Sequence, residues 1–290
     1  MSGPPALSLA QSSLEPPRGS LALSERFLGA TKSGARIAAL VDPDRTGPDE
    51  ALALARVLED AGFDIILFGT SVSHMRRETE VARAIHRATS LPVILFPGSA
   101  DQLTPHADAL LFLSLISGRN PRYLIEEQVR AAARVRELRL PAIPTAYILV
   151  EGGRVSTVER VTETAPIAAN AVKSLVDHAV AAELLGMRAI YLEAGSGAAR
   201  CVPAEALRAV REATRVPIIA GGGIRTPEAC AALAAAGADT LVVGTLIEEG
   251  TDASRLRALA SAAHGSANAA AAESAIASEL LDRVENPIVD

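Results

Sequence analysis

Three glycine-rich stops and three carboxylates carry the chemistry available to this chain. Tyr191-Leu192-Glu193-Ala194-Gly195-Ser196-Gly197 delivers Glu193 at the end of an apolar run and then breaks into glycines. Gly221-Gly222-Gly223 follows Val216–Ala220, and Gly244-Thr245 follows Thr240–Val243. Glycine lets backbone N–H groups approach an anion with no Cβ in the way, so the three stops together read as a phosphate cup. Any one of them alone reads equally as a tight turn. Glu193 beside the cup is placed to take or orient a hydroxyl proton; its plainer role is a salt bridge to an arginine. Tyr191 is expected to hydrogen-bond the ligand or the wall.

Asp42 and Asp44 flank Pro43. Two carboxylates so spaced suit a Mg²⁺ that keeps several waters and bridges to substrate phosphates. Asp42 reads as the metal ligand, Asp44 first as a cap of the next helix and second as a diphosphate contact. Ser71 offers a hydroxyl to the same metal, to a phosphate, or as a cap. Arg119, in Ser114–Pro121, reads as a holder of a second phosphate group or as a surface arginine. The histidines, His74, His86, His106, His178 and His264, have no ligand spacing. Cys201 and Cys230 match neither a disulfide framework nor a zinc pattern, which favours a reduced, cytoplasmic setting.

These groups need strands that end together. Apolar, strand-like runs lie at 35–41, 64–68, 92–96, 108–114, 142–150, 188–192, 216–220 and 240–243. Helical patterns separate them, at 48–61, 74–89, 120–138, 168–185, 203–214 and 227–236, after a possible first helix at 21–28. Asn120 is expected to cap its helix with Pro121 in the first position. Residues 97–107 hold two prolines and are too short for a crossover helix. Residues 154–161 read as the second arm of a hairpin. Eight strands alternating with helices predict an α/β (β/α)8 TIM barrel with its site at the carboxyl ends of the strands. A doubly wound sheet fits less well, because no dinucleotide glycine pattern follows the first strand. Residues 1–23 read as a flexible leader, 24–262 as the barrel and 263–290 as an alanine-rich tail or helix.

Composition narrows the partners. The 290 residues are 49% hydrophobic, enough for a sizeable core, with no apolar run of the ~18 residues a membrane span needs. The amino-terminal stretch lacks the basic and apolar blocks of a secretory signal. A net charge of −6 argues against a nucleic-acid surface. An anionic ligand must therefore be held by local amides, helix N-termini and a metal.

The residues above resemble the geranylgeranylglyceryl phosphate synthase family. Asp42-Pro43-Asp44 resembles its Asp-Pro-Asp/Glu-Lys motif and Gly69-Thr70-Ser71 its Gly-Gly-Ser/Thr. Leu113–Pro121 is similar to a run of the group II branch, and Tyr191–Gly197 and Gly221–Arg225 match closely. The likeness covers residues 24 to 249, five motifs in order. It implies a barrel lacking its third helix and Mg²⁺ at Asp42 and Ser71. It implies sn-glycerol 1-phosphate held by Tyr191, Leu192, Glu193, Ala194, Gly195, Ser196, Gly197, Gly222, Gly223, Gly244 and Thr245. The implied reaction joins the 3-hydroxyl of that substrate to geranylgeranyl diphosphate, with Glu193 and Asp42 as catalytic residues. The implied assembly is a homo-oligomer. Arg45 stands where the family has lysine, and Thr245 replaces a common asparagine. The alternatives are an isomerase or lyase of a phosphorylated metabolite on the same barrel, or a barrel that senses such a metabolite without catalysis.

Overall fold

The computed structural model describes residues 20–32, 34–71, 76–250 and 252–265. Eight parallel strands close into a barrel in sequence order: β1 (Arg36–Val41), β2 (Ile65–Phe68), β3 (Val93–Leu95), β4 (Ala109–Leu115), β5 (Ala142–Leu149), β6 (Ala189–Glu193), β7 (Ile218–Gly221) and β8 (Thr240–Val243). Strands covered on both faces must be apolar at nearly every position, which is why Ile65–Phe68 and Thr240–Val243 are buried throughout. Ile65, Leu67, Ile94, Leu111, Ile143 and Ile219 point inward. Their neighbours Ile66, Phe68, Val93, Leu110 and Ile218 pack outward under the helices.

The first helix, α1 (Ser20–Leu28), closes the barrel's amino end: Phe27 and Leu28 join the inner cluster, and the Thr240 hydroxyl donates to the Leu28 carbonyl at 2.7 Å. Its first residues fall within the expected leader. Residues 1–19 and 266–290, most of that leader and of the tail, lie outside the described residues. Next around the outside come α2 (Pro48–Asp60) and α3 (Glu78–Ala88). The expected start of α3 at His74 lies outside the described residues. Gly47, with Pro48 following, is the N-cap of α2, so Asp44 is not.

Between β3 and β4 there is only a 3₁₀ turn, Ala100–Gln102, so the third barrel helix is absent as expected. The next helix opens with a wide π turn at Arg122–Glu126 and continues as α4 (Glu127–Glu137). Asn120 caps it, its Oδ1 accepting from the Arg122 amide at 3.1 Å.

The hairpin expected at 154–161 is instead a helix, α5 (Thr157–Thr162). Ser156 and Glu159 form a reciprocal capping box there, at 3.1 and 2.8 Å. Val155, Val158 and Val161 are spaced three apart, a helical repeat that the β-branched composition masked. The remaining helices among the described residues are α6 (Val172–Leu184), α7 (Ala204–Ala213), α8 (Pro227–Ala235), the short α9 (Thr245–Glu248) and a helix at 253–265. That last helix returns to the amino end, where His264 Nε2 lies 2.8 Å from Asp64 Oδ2.

Candidate active site

Asp42 follows β1, Ser71 follows β2, Glu193 ends β6, Gly222 follows β7 and Gly244 follows β8. The parallel barrel brings them to one mouth. Asp42, Asp44, Ser71, Tyr191, Glu193, Ser196, Gly222, Gly223, Gly244 and Thr245 all line a single cavity of about 550 Å³.

The three glycine stops leave several amides without partners. Among the described residues, the N–H groups of Ser196, Gly222, Gly223, Gly244 and Thr245 have no acceptor within the protein. Five unpaired donors around one hollow are costly unless an anion or water meets them. Two amides of the Gly195–Gly197 loop are already engaged. Gly195 N–H donates to Glu193 Oε1 at 2.7 Å, and Gly197 N–H to the Thr245 hydroxyl at 3.1 Å. Thr245 therefore ties the β6 loop to the β8 loop. Leu192 and Ala194 turn their side chains outward into the helix-facing core, so their part in the site is backbone.

Gly222 shows why glycine is needed. Its φ is +83°, and a Cβ there would lie 2.6 Å from Glu193 Oε1 and 2.7 Å from the Gly195 nitrogen. At Gly221 a Cβ would strike the Tyr191 hydroxyl at 2.6 Å and Glu193 Oε2 at 2.7 Å.

Glu193 is 7% exposed. Burial pushes its carboxyl up to about 7, against the opposing pull of the Gly195 N–H and the nearby Tyr191 hydroxyl. The arginine salt bridge is not formed: among the described residues no basic side chain pairs with Glu193. The Tyr191 hydroxyl is buried beside the carboxylate without a well-aligned hydrogen bond.

Opposite lies an acidic corner. Asp42 Oδ1 accepts from the Asp44 N–H at 2.8 Å, and the Thr70 hydroxyl bonds the same carboxylate. Burial raises the Asp42 pKa, and the Asp44 charge adds to that rise. Glu248 is also raised by burial, with Asp42 adding to the rise and Arg45 opposing it. Among the described residues no three His, Cys, Asp or Glu side chains converge as a metal cage. Asp42 and Ser71 are oxygen donors on one wall. That set fits a hard cation that retains most of its waters and relieves the crowding of carboxylates.

Arg119 is not brought to the cavity. Its guanidinium turns back on its own loop and donates to the Gly118 and Ile116 carbonyls at 2.7 and 3.3 Å. The arginines at the mouth are Arg45 and Arg225. Arg45 pairs with Glu248 at 2.7 Å and Arg225 with Glu249 at 3.3 Å, both carboxylates lying just beyond the Gly244 stop. Their position directly after the Asp42 and Gly221 motifs was the available signal.

The other half of the cavity is apolar and was not foreseen residue by residue. Phe96, Leu103, Phe112 and Tyr123 line it, with Val158 and Val161 from α5. It runs from the mouth over β3–β5 into the gap left by the missing helix. Glu127 spans that gap: it accepts from the Ala100 N–H at 2.9 Å, Arg122 Nε at 2.8 Å and Arg130 at 2.9 Å. Arg130 also reaches Asp101 at 3.2 Å.

A closed parallel barrel with an amide cup, a buried carboxylate and an acidic corner at its carboxyl end defines a phosphate-handling TIM-barrel enzyme. Residues 33–263 match the model of the PcrB family. A geranylgeranylglyceryl phosphate synthase of Korarchaeum cryptofilum is 44% identical over 233 residues, 80% of this chain and 95% of the relative. One of Pyrococcus furiosus is 46% identical over 211 residues, 72% of this chain and 83% of the relative. The crystal structure of (S)-3-O-geranylgeranylglyceryl phosphate synthase from Thermoplasma acidophilum, in complex with its substrate sn-glycerol-1-phosphate, superposes with a TM-score of 0.78. It is 36% identical, covering 84% of this chain and 98% of that one. The chain belongs to the PcrB family, among relatives named geranylgeranylglyceryl phosphate synthase.

Proposed function

We propose that this protein is a Mg²⁺-dependent prenyltransferase. It joins the 3-hydroxyl of sn-glycerol 1-phosphate to C1 of geranylgeranyl diphosphate, giving 3-O-(geranylgeranyl)glyceryl phosphate and diphosphate. One observation carries the reading: a cup of free amides, a buried carboxylate and a long apolar hollow share one cavity. An isomerase or lyase of a small phosphorylated metabolite has no use for that hollow.

The phosphate of the acceptor occupies the cup of Ser196, Gly222, Gly223, Gly244 and Thr245 amides. Tyr191 and Glu193 orient its 3-hydroxyl, and Glu193 takes the proton as the ether bond forms. A pKa near 7 suits a base working at neutral pH. Asp42 and Ser71 would hold Mg²⁺, which when bound offsets the charge of the diphosphate leaving group. Asp44 and Arg45 stand at the same corner. The prenyl tail lies along Phe112, Tyr123, Val158 and Val161 toward the Glu127 clasp. No helix among the described residues is long and apolar enough to cross a membrane. The same reading includes a cytoplasmic setting, supported by the free cysteines Cys201 and Cys230. It also includes self-association, for which exposed Ile125 and Val129 offer an apolar face.

The test uses radiolabelled sn-glycerol 1-phosphate with geranylgeranyl diphosphate and Mg²⁺, against EDTA, Asp42→Asn and Glu193→Gln. Ether-lipid product should form only with metal, and both variants should lose at least about 100-fold in turnover. Near-normal turnover in both variants would overturn the assignment.

A further inference from the structure

Phe96, Tyr147 and Tyr191 stand where the polar and apolar halves of the cavity meet. They come from the end of β3, from β5 and from β6, and all three line the cavity. The Phe96 and Tyr191 rings are stacked, with centroids 5.2 Å apart and planes 23° apart. Tyr147 stands edge-on to both, 5.7 Å from Phe96 and 5.2 Å from Tyr191. Burial, reinforced by the Glu193 charge, drives both phenols well above their usual range, so these are neutral, electron-rich rings.

Their place relative to the reaction follows from strand geometry. Tyr191 precedes Glu193 by two residues on β6, so both side chains face the barrel interior. An acceptor hydroxyl beside Glu193 lies on the cup side of the trio. A prenyl tail in the hollow over β3–β5 lies on the other. The carbon that must join the two therefore belongs between cup and hollow, where the trio stands.

The geometry points to a catalytic role for this trio: the rings of Phe96, Tyr147 and Tyr191 stabilise the positive charge that develops on the allylic carbon during transfer. The inference rests on the prenyl-transfer reading and adds three catalytic side chains to it. The C1–O bond breaks with its electron pair leaving on the diphosphate, and C1 and C3 of the allyl unit share the positive charge. A lone pair of the glycerol 3-oxygen then forms the new C1–O bond, and the hydroxyl proton passes to Glu193. The rings form no bond. The negative faces of aromatic rings attract a cation, most strongly where water is excluded. A carboxylate in their place would attract it too, but would trap it as an ester. This division of labour gives the rings the developing charge and leaves Glu193 the hydroxyl proton.

The experiment replaces Phe96, in the full chain, with mono-, di- and trifluorophenylalanine. The ring keeps nearly its size and progressively loses electron density. Single-turnover rates with geranylgeranyl diphosphate, sn-glycerol 1-phosphate and Mg²⁺ are expected to fall stepwise, by about 2- to 30-fold in all. The KM for glycerol phosphate should stay constant. Tyr147→Phe should retain most of the rate and Tyr147→Leu lose about 10-fold. A flat fluorine series in an active chain overturns the role of the rings. Equal losses in the two Tyr147 variants overturn it as well, since the hydroxyl would then be the working group. If the unmodified chain transfers no prenyl group at all, the underlying reading fails and the trio's role with it.

Discussion

Glu193 combines burial, a single amide partner and an ionisation point near neutrality. A base must be deprotonated to work, so kcat/KM should rise as pH increases through about 7 and level off above it. Stability runs the other way. The carboxyl has a higher pKa folded than unfolded, so ionising it opposes folding. That cost is absent below about 4.5 and complete above about 7. Glu193→Gln should therefore melt above the parent at pH 8, with the gap closing toward pH 4.5, while turnover falls by about 100- to 10,000-fold. Scanning calorimetry beside a pH–rate profile checks both. Gly222→Ala should act through the same carboxylate. Its Cβ would lie 2.6 Å from Glu193 Oε1 on a backbone at positive φ, so the melting point should fall and KM for glycerol phosphate rise at least about 10-fold.

Among the elements, α5 is the short helix that lines the apolar half of the cavity. Thr157, Val158, Val161 and Thr162 face the cavity, and the helix is only six residues long. A helix that short depends on its cap and on packing. Ser156→Ala removes the capping box and should cost about 1 kcal/mol locally. Steady-state kinetics should show KM rising more for the prenyl diphosphate than for glycerol phosphate, because α5 lines only the apolar half. How far such features could be read in advance depends on how local they are. The eight strands were legible because burial on both faces writes apolar runs, and the β6–β8 stops because each needs its own glycines. The α5 helix was misread because its three valines suggested a strand, while Ser156 and Glu159 carried the decisive signal. For Arg119 the sequence left a phosphate holder and a surface arginine open, because a guanidinium on a loop can satisfy itself on nearby carbonyls, which spacing does not reveal. The missing third helix pointed to an apolar groove, but its side chains were illegible: Phe96, Phe112, Tyr123 and Val158 come from four separate parts of the chain and meet only in the folded barrel.

In the whole molecule, the first and last described helices are fastened to the barrel's amino end, away from the chemistry. The inner cluster takes in Phe27 and Leu28, and the 253–265 helix is held by His264 Nε2 on Asp64 Oδ2, which also accepts from the Ile37 N–H at 2.8 Å. The hydrogen bond to Asp64 is the main cause raising the His264 pKa above 6.5; burial and the charge of Arg36 oppose it. A histidine whose pKa is higher folded than unfolded contributes stability that is complete below 6.5 and fades as pH rises past its folded value. The parent should thus outlast His264→Asn in thermal melts at pH 6, and the two should converge by pH 9. Turnover, measured at the far end of the barrel, should barely change.

Outside the paired strands β3 and β4, where a barrel helix would lie, the described residues place only the Ala100–Gln102 turn and the carboxylate clasp of Glu127. A cask with one stave cut short can receive an object longer than its bore. On the proposed prenyl-transfer reading, a long apolar tail would enter and depart sideways, with its polar head alone reaching the depth of the vessel.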